Sequence, residues 1–476
     1  MWRRSVSAWS GLRDRWFLPL WIPVLGLGAA AIADYDDARW MAREGLDVLA
    51  GGGIVHPDRW GWAPVPHDFV PTSPGWDVVL GMAWHLGREP GLLIATAATL
   101  AACLWVVALA ARALGAGDTA IIAALLTGFV VMGSFLNPRA SVVAVALLLL
   151  QFLLVRRSNS TVRIALSGFL CAYAGIWIHG SWTALALAAA VGNVWLIHGD
   201  RQADRNSRRT RALVGAIAPP LGALAGPLGT DAWTNAARVA EQCRSVITEW
   251  STPWALGGAD LALWLALLAA TAALLWFAAQ ERSLQLRQLL ALLALGAVIA
   301  GAVAARFMLI GGFLALPVLA SALSRGLPWD RIRRCLGERG HERYWRNIAT
   351  LLLILAIPTD IAAVAMHAYG PDPAILSLPG HCRLFASDKL SKPISLYRPD
   401  VQTWVDGRQD YWGRIRMQQM QGYLLVTRPS SLLPAGTSCV LLERNPAPPL
   451  ANRLQASPDW RLVAQSPGLT VWARRA

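Results

Sequence analysis

Residues 140–157 read ASVVAVALLLLQFLLVRR, an apolar run interrupted only by Ser141 and Gln151 and closed by Arg156 and Arg157. A run of this kind has no polar face to turn toward water. It is read as a membrane-spanning helix that extends a little into its flanks, with the arginine pair at the cytoplasmic headgroups. The pattern recurs along the chain: apolar runs at about 17–33, 91–111, 119–135, 140–155, 164–179, 182–198, 212–229, 259–279, 288–305, 307–324 and 347–366 predict eleven spans. Composition agrees, since 55% of the 476 residues are hydrophobic and 15% charged. An ordinary soluble protein has about 25% charged residues. Soluble, disordered and disulfide-scaffold classes are excluded.

The arginines orient the bundle. With the N-terminus inside, segments 1–16, 112–118, 156–163, 199–211, 280–287 and 325–346 hold 22 of the 43 basic and eight of the 29 acidic residues. The rest of the chain carries 21 of each, so the whole surplus of +14 lies on one side. That is the positive-inside rule, and it makes anionic lipid headgroups the partners of these arginines, with no role for nucleic acid. Arg3, Arg4, Arg13 and Arg15 precede the first apolar run as in a signal peptide. Removing that run would leave ten helices and reverse the charge balance, so it is read as a retained first helix. The expected protein is multi-pass in the cell (cytoplasmic) membrane, with its C-terminus outside.

Two polar pieces interrupt this pattern. The outer loop 34–90 opens Asp34-Tyr35-Asp36-Asp37, runs through a helix-like stretch to Gly51-Gly52-Gly53, and continues through a Pro- and Trp-rich segment to Trp76. Trp60, Trp62, Phe69 and Trp76 offer faces for sugars, but in a chain with 24 Trp, interfacial anchoring is expected of most. In the tail 367–476, short runs at Arg383–Ala386, Ile394–Tyr397, Thr403–Val405, Cys439–Leu442, Trp460–Val463 and Leu469–Trp472 predict strands. Arg414–Leu424 and Pro449–Ala456 predict helices between them. The expected fold is an α-helical polytopic membrane protein of residues 1–366, loop 34–90 included, followed by a small α/β extracytoplasmic domain of residues 367–476. Cys382 and Cys439 each open a predicted strand, where an oxidising compartment would join them. Asp406-Gly407-Arg408 reads as a turn after a strand, with a site as the alternative.

Polar residues gather at the outer ends of predicted spans: Arg139, His179, Glu249 and Arg306. Singly, an Arg snorkels to phosphates, a His beside Trp belongs to the aromatic belt and a Glu caps a loop. Together with Asp34 and Asp36 they form a set of cations and carboxylates at one membrane depth, and such residues are functional candidates. Arg and His neutralise a lipid phosphate, while a carboxylate takes the proton of an attacking hydroxyl. Glycosyl transfer from a polyprenyl-phosphate sugar uses both.

Six segments carry a resemblance. They are Asp34-Tyr35-Asp36 leading to Gly51-Gly52-Gly53-Ile54-Val55-His56-Pro57-Asp58; Asn137-Pro138-Arg139; Trp177-Ile178-His179-Gly180; Ile247-Thr248-Glu249-Trp250; Arg306 before an apolar helix with Pro317; and Trp404-Val405-Asp406-Gly407-Arg408. In this order they resemble the bacterial multi-pass GT-C-fold glycosyltransferases, in a branch with a C-terminal extracytoplasmic domain. The resemblance implies a catalytic acid in the first outer loop (Asp34, Asp36 or Asp37) and donor-phosphate binding by Arg139, His179 and Arg306. It also implies substrate contacts at His56, Asp58, Glu249 and Trp250, a polyprenyl-phosphate sugar as donor, and an envelope glycan, lipid or protein as acceptor. The tract Ser73-Pro74-Gly75-Trp76-Asp77 departs from the His-Glu-Trp of that branch. A divalent cation held by Asp34 and Asp36 stays open as a cofactor. Two rival readings are a lipid or glycan transporter, which Pro219-Pro220 as a helix break would suit, and a non-catalytic scaffold of envelope assembly.

Overall fold

The structure, a computed structural model, describes residues 17–31, 33, 35–63, 65, 67–132, 139–199, 204–243, 250–280, 285–325, 370–426 and 433–475. The eleventh predicted span, Asp34 and Glu249 lie outside them. The chain divides into two compact units. The first comprises Met1–Ala33, Leu93–Trp233 and Ser251–His367; the second comprises Asp34–Leu92, Thr234–Trp250 and Ala368–Ala476.

In chain order the helices up to residue 325 are α1 (Phe17–Ala31), α2 (Asp36–Leu49), α3 (Pro74–Ala113), α4 (Asp118–Met132), α5 (Ala140–Arg156), α6 (Thr161–Ile178), α7 (Trp182–His198), α8 (Arg205–Leu224), α9 (Asp231–Cys243), α10 (Pro253–Leu256), α11 (Gly258–Ala279), α12 (Gln285–Ala300) and α13 (Arg306–Arg325). The first unit is a bundle of the apolar ones, and a helix lies in each of the first ten predicted runs. Five described helices are long and apolar enough to cross a membrane: Pro74–Ala113, Ala140–Arg157, Thr161–Ile178, Gly258–Ala279 and Arg306–Arg325. Asp118–Val131, Trp182–His198 and Gln285–Ala300 are apolar but shorter. The second predicted run begins where α3 kinks, at Arg88 (φ 53°), two residues before Pro90.

Helix α8 departs from expectation. The Asp204 carboxylate accepts from the backbone N–H of Asn206 and Ser207, both at 2.9 Å, and so starts the helix seven residues before position 212. Pro219-Pro220 does not break it. Pro219 packs on Gly168 of α6, where a Cβ would lie 3.3 Å from its ring. At the end of the bundle holding the α3–α4 turn, Arg156 donates to the carbonyl of Ala113 (2.8 Å) and Ser321 to that of Leu114 (3.1 Å). These contacts satisfy carbonyls left over at the C-terminus of α3.

The second unit is built on a five-stranded sheet from the tail. Its elements are α14 (Pro373–Leu376), β1 (Arg383–Phe385), α15 (Asp388–Tyr397), β2 (Gln402–Thr403), α16 (Gln409–Leu424), β3 (Cys439–Glu443), α17 (Pro449–Ala456), β4 (Trp460–Gln465) and β5 (Leu469–Arg474). The strand order is β2-β1-β3-β5-β4, with β1 parallel to β2 and β3, and β5 antiparallel to β3 and β4. The loop between the first two predicted spans joins this sheet at its β2 edge: Thr403 N–H donates to Trp60 O (2.8 Å) and Trp62 N–H to Thr403 O (3.2 Å). Trp40, Trp60 and Phe69 of the loop share one core with Phe385, Trp404, Tyr411 and Trp412 of the tail.

Two predicted strands need correction. Ile394–Tyr397 is the end of helix α15: Ser387 caps it by accepting from Leu390 N–H, and the apparent alternation Ile-Ser-Leu-Tyr is a short stretch of an amphipathic helix. The strand expected at Thr403–Val405 is confined to Gln402–Thr403. The expected disulfide is present, with Cys382 and Cys439 having Cα atoms 6.0 Å apart. Cys382→Ala/Cys439→Ala should destabilise this unit by about 2–4 kcal/mol, the usual worth of such a loop closure. Urea-dependent pulse proteolysis of purified parent and variant reads the difference, and coincident midpoints would refute it.

Candidate functional site

Asp36 and Asp37 sit in the first turn of α2, where unsatisfied backbone N–H groups and the helix dipole favour negative charge. Asp36 Oδ1 accepts from Arg39 Nη1 at 3.0 Å, and Arg39 Nε donates to Glu89 Oε1 at 2.9 Å. Tyr397 of α15 donates its hydroxyl to the same Glu89 oxygen. Asp37 Oδ1 lies 2.8 Å from Lys392 Nζ of α15 and accepts from the Trp40 indole at 3.4 Å. Burial opposes the charge on Lys392, but Asp37, then Asp388 and Asp36, more than offset it and raise its pKa. A helix of the tail therefore grips the turn that carries the candidate base.

Asp36 and Arg39 form one wall of a cleft of about 380 Å³. Lys389, Tyr397, Glu443 and Asn445 contribute to the other walls. Positions 389, 393 and 397 recur every four residues, so Lys389, Pro393 and Tyr397 line the cleft from one face of α15. The volume is that of an ordinary ligand pocket, about 300–1,000 Å³.

His56 and Asp58 face inward from the same loop. His56 is 2% exposed; its Nε2 is 2.8 Å from Glu44 Oε1 and its Nδ1 2.8 Å from Pro57 O. The hydrogen bond to Glu44 raises its pKa against the effect of burial. Asp58 Oδ1 accepts from Arg408 Nη2 at 2.7 Å, while Arg408 bonds Asp406 through Nε (2.9 Å) and Nη2 (2.6 Å). All three side chains of this triad are fully buried. The Arg408 guanidinium lies 4.1 Å from the ring centre of Trp60, 5.0 Å from those of Phe69 and Tyr411, and 5.5 Å from that of Trp412. Burial opposes its charge, but Asp406 and Asp58 more than offset this and raise its pKa. Asp406-Gly407 is indeed a turn, with Arg408 N–H donating to Asp406 Oδ1 at 2.9 Å. It needs glycine, because a Cβ at Gly407 would fall 2.3 Å from Trp40 Cδ1. Trp60, Phe69 and Trp76, expected mostly as interfacial anchors, are instead interior residues at 6%, 2% and 3% exposure.

In the first unit, Arg139 caps α5, His179 ends α6 and Arg306 opens α13. The charges of Arg306 and Arg139 act on the imidazole of His179. Ser181 N–H donates to His179 Nδ1 at 3.1 Å, so that nitrogen carries no proton. The bundle also holds a small apolar crevice of about 20 Å³, lined among others by Leu25, Leu104, Val142, Phe313 and Leu316. Val142 is one helical turn from Arg139 and Phe313 two from Arg306.

No family model and no curated protein matches the sequence. The structure of ArnT from Cupriavidus metallidurans bound to undecaprenyl phosphate is similar over 99% of this chain and 98% of its own, with TM-score 0.58 and 14% identity. The archaeal oligosaccharyltransferase of Archaeoglobus fulgidus is similar over 91% of this chain and 70% of its own. Its TM-score is 0.53 at 11% identity with a tethered acceptor peptide, and 0.52 at 13% identity with an inhibitory peptide and dolichol-phosphate. The chain has the GT-C fold.

Within this GT-C chain, the structure groups Arg139, His179 and Arg306 in the first unit, and Asp36, Asp37, His56 and Asp58 in the second. Trp250 is half-buried just ahead of α10. Among the described residues, no group of three or more His, Cys, Asp or Glu could hold a metal ion. Lys392, Tyr397, Glu89 and Glu44 were missed by reading the sequence. One signal was available: Lys389 and Lys392 are the chain's only lysines, and they fall one turn apart in the helix that meets α2.

Proposed function

We propose that the protein is a membrane glycosyltransferase that moves a sugar from a polyprenyl-phosphate donor to an acceptor on the outer side of the cytoplasmic membrane. The observation that carries this reading is the likeness, over nearly the full length of both chains, to a structure that holds undecaprenyl phosphate. Arg139, His179 and Arg306 bind the donor phosphate. A carboxylate of the first loop, Asp34, Asp36 or Asp37, is the base. As the acceptor oxygen bonds to the anomeric carbon, its proton passes to this carboxylate, the carbon–oxygen bond to phosphate breaks, and polyprenyl phosphate leaves. Attack opposite the phosphate inverts the anomeric centre. Residues 34–90 and 367–476 both face the outer side.

The direct test is to compare envelope glycans and lipid-linked intermediates of a deletion strain with those of its parent. One glycan residue missing, with its polyprenyl-linked sugar accumulating, is the expected result; identical profiles would count against transfer. Arg306→Ala should chiefly weaken donor binding, raising the donor KM about tenfold or more with a smaller change in kcat, because it removes a charge-assisted contact to phosphate. Steady-state kinetics with a synthetic polyprenyl-phosphate sugar would show this. A fall in kcat at unchanged KM would assign Arg306 to the transition state instead.

A further inference from the structure

We infer that the cleft beside Asp36 is the acceptor site, and that it takes a neutral saccharide rather than a phosphorylated headgroup or a peptide. The inference rests on the transferase reading above and narrows its acceptor. Its ground is the set of polar groups facing the cleft. Asp36 is tied to Arg39, and Arg39 also holds Glu89. Asp372 is held on both oxygens, by Ala374 N–H and by the Ser466 hydroxyl, each at 2.8 Å. Glu443, Lys389 and Asn445 enter the cleft with no side-chain hydrogen bond or ion pair among the described residues.

Those three groups are a carboxylate, an ammonium and an amide. The carboxylate accepts from two adjacent hydroxyls, the ammonium donates, and the amide does both. This is the complement of a sugar ring with vicinal hydroxyls. A phosphate would face Asp36, Asp372 and Glu443 with Lys389 as the one uncommitted cation of the cleft among the described residues, which disfavours it. An extended peptide binds by adding to a sheet edge. The cleft lies instead beyond the end of β3 and the β4–β5 turn, at Glu443, Asn445 and Gly468, where no strand edge is offered.

The test is ligand-observed NMR on the purified full-length protein in nanodiscs, without donor. The probes are neutral hexose oligosaccharides, the same oligosaccharides carrying a phosphomonoester, and a Ser/Thr-rich peptide. Neutral oligosaccharides should bind saturably, and Glu443→Lys should weaken them about tenfold or more, the worth of a hydrogen bond to a charged group. Lys389→Ala, on an exposed position, provides a second variant, and thermal melts of both show that the fold is kept. Preferred binding of the phosphorylated probe or the peptide, no binding of any oligosaccharide, or wild-type affinity in both variants would overturn the inference. A parallel assay follows release of polyprenyl phosphate from a labelled donor. Saccharide binding without donor turnover would fail the transferase reading alone, whereas turnover without saccharide binding at this cleft would fail the inference alone.

Discussion

Asp36→Asn should lower sugar transfer by at least ~10²-fold, the lower end of what a general base contributes, while leaving expression and membrane insertion intact. The amide keeps the size of the carboxylate and can still accept from Arg39 Nη1, 3.0 Å away in the parent. What it loses is the capacity to take a proton. Asp36 is the described first-loop acid that lines the cleft, whereas Asp37 is occupied by Lys392 and Trp40. Asp34→Asn should be equally damaging if that residue is the base and Asp36 orients it. Glycans of the complemented deletion strain decide: parental levels with both Asn variants would mean that the catalytic loop is misassigned and that a scaffold role comes forward.

The largest effect on stability should come from Arg408→Met. The methionine fills much of the aromatic enclosure but leaves Asp58 and Asp406 buried without the guanidinium that pairs with both. Breaking a buried ion pair in this way costs about 3–5 kcal/mol. Arg408→Lys should recover little, since an ammonium cannot reproduce the two-pronged contact to Asp406 or the stacking on four rings. Chemical denaturation of the purified protein, followed by tryptophan emission, would measure both; a midpoint unchanged in Arg408→Met would show that the triad contributes nothing to stability.

The helical bundle was legible because each apolar run announces itself locally, and arginine placement adds a side to every loop. Arg139, His179 and Arg306 were legible for the same reason: a charge at the end of an apolar helix stands out against its neighbours. Contacts within the second unit were not. Asp58 and Arg408 are 350 residues apart, and no local period connects them. Lys392 was hidden by the reading of Ile394–Tyr397 as a strand, which removed the helical face on which Lys389, Pro393 and Tyr397 align. His56 and Asp58 carried the right chemistry for substrate contacts, yet their partners Glu44 and Arg408 enclose them.

The ion triad also sets an order on synthesis. Asp58 leaves the ribosome while the residue that neutralises it has still to be translated, and at about 5–20 residues per second a gap of 350 residues lasts roughly 20–70 seconds. Throughout that interval the first loop has neither its sheet edge at Thr403 nor its guanidinium, so its Trp and Phe side chains stay open to water and to other chains. Maturation of the first loop is therefore timed by the end of the polypeptide. A ribosome that stops before Arg408 leaves a bundle whose helices are inserted but whose first loop cannot close.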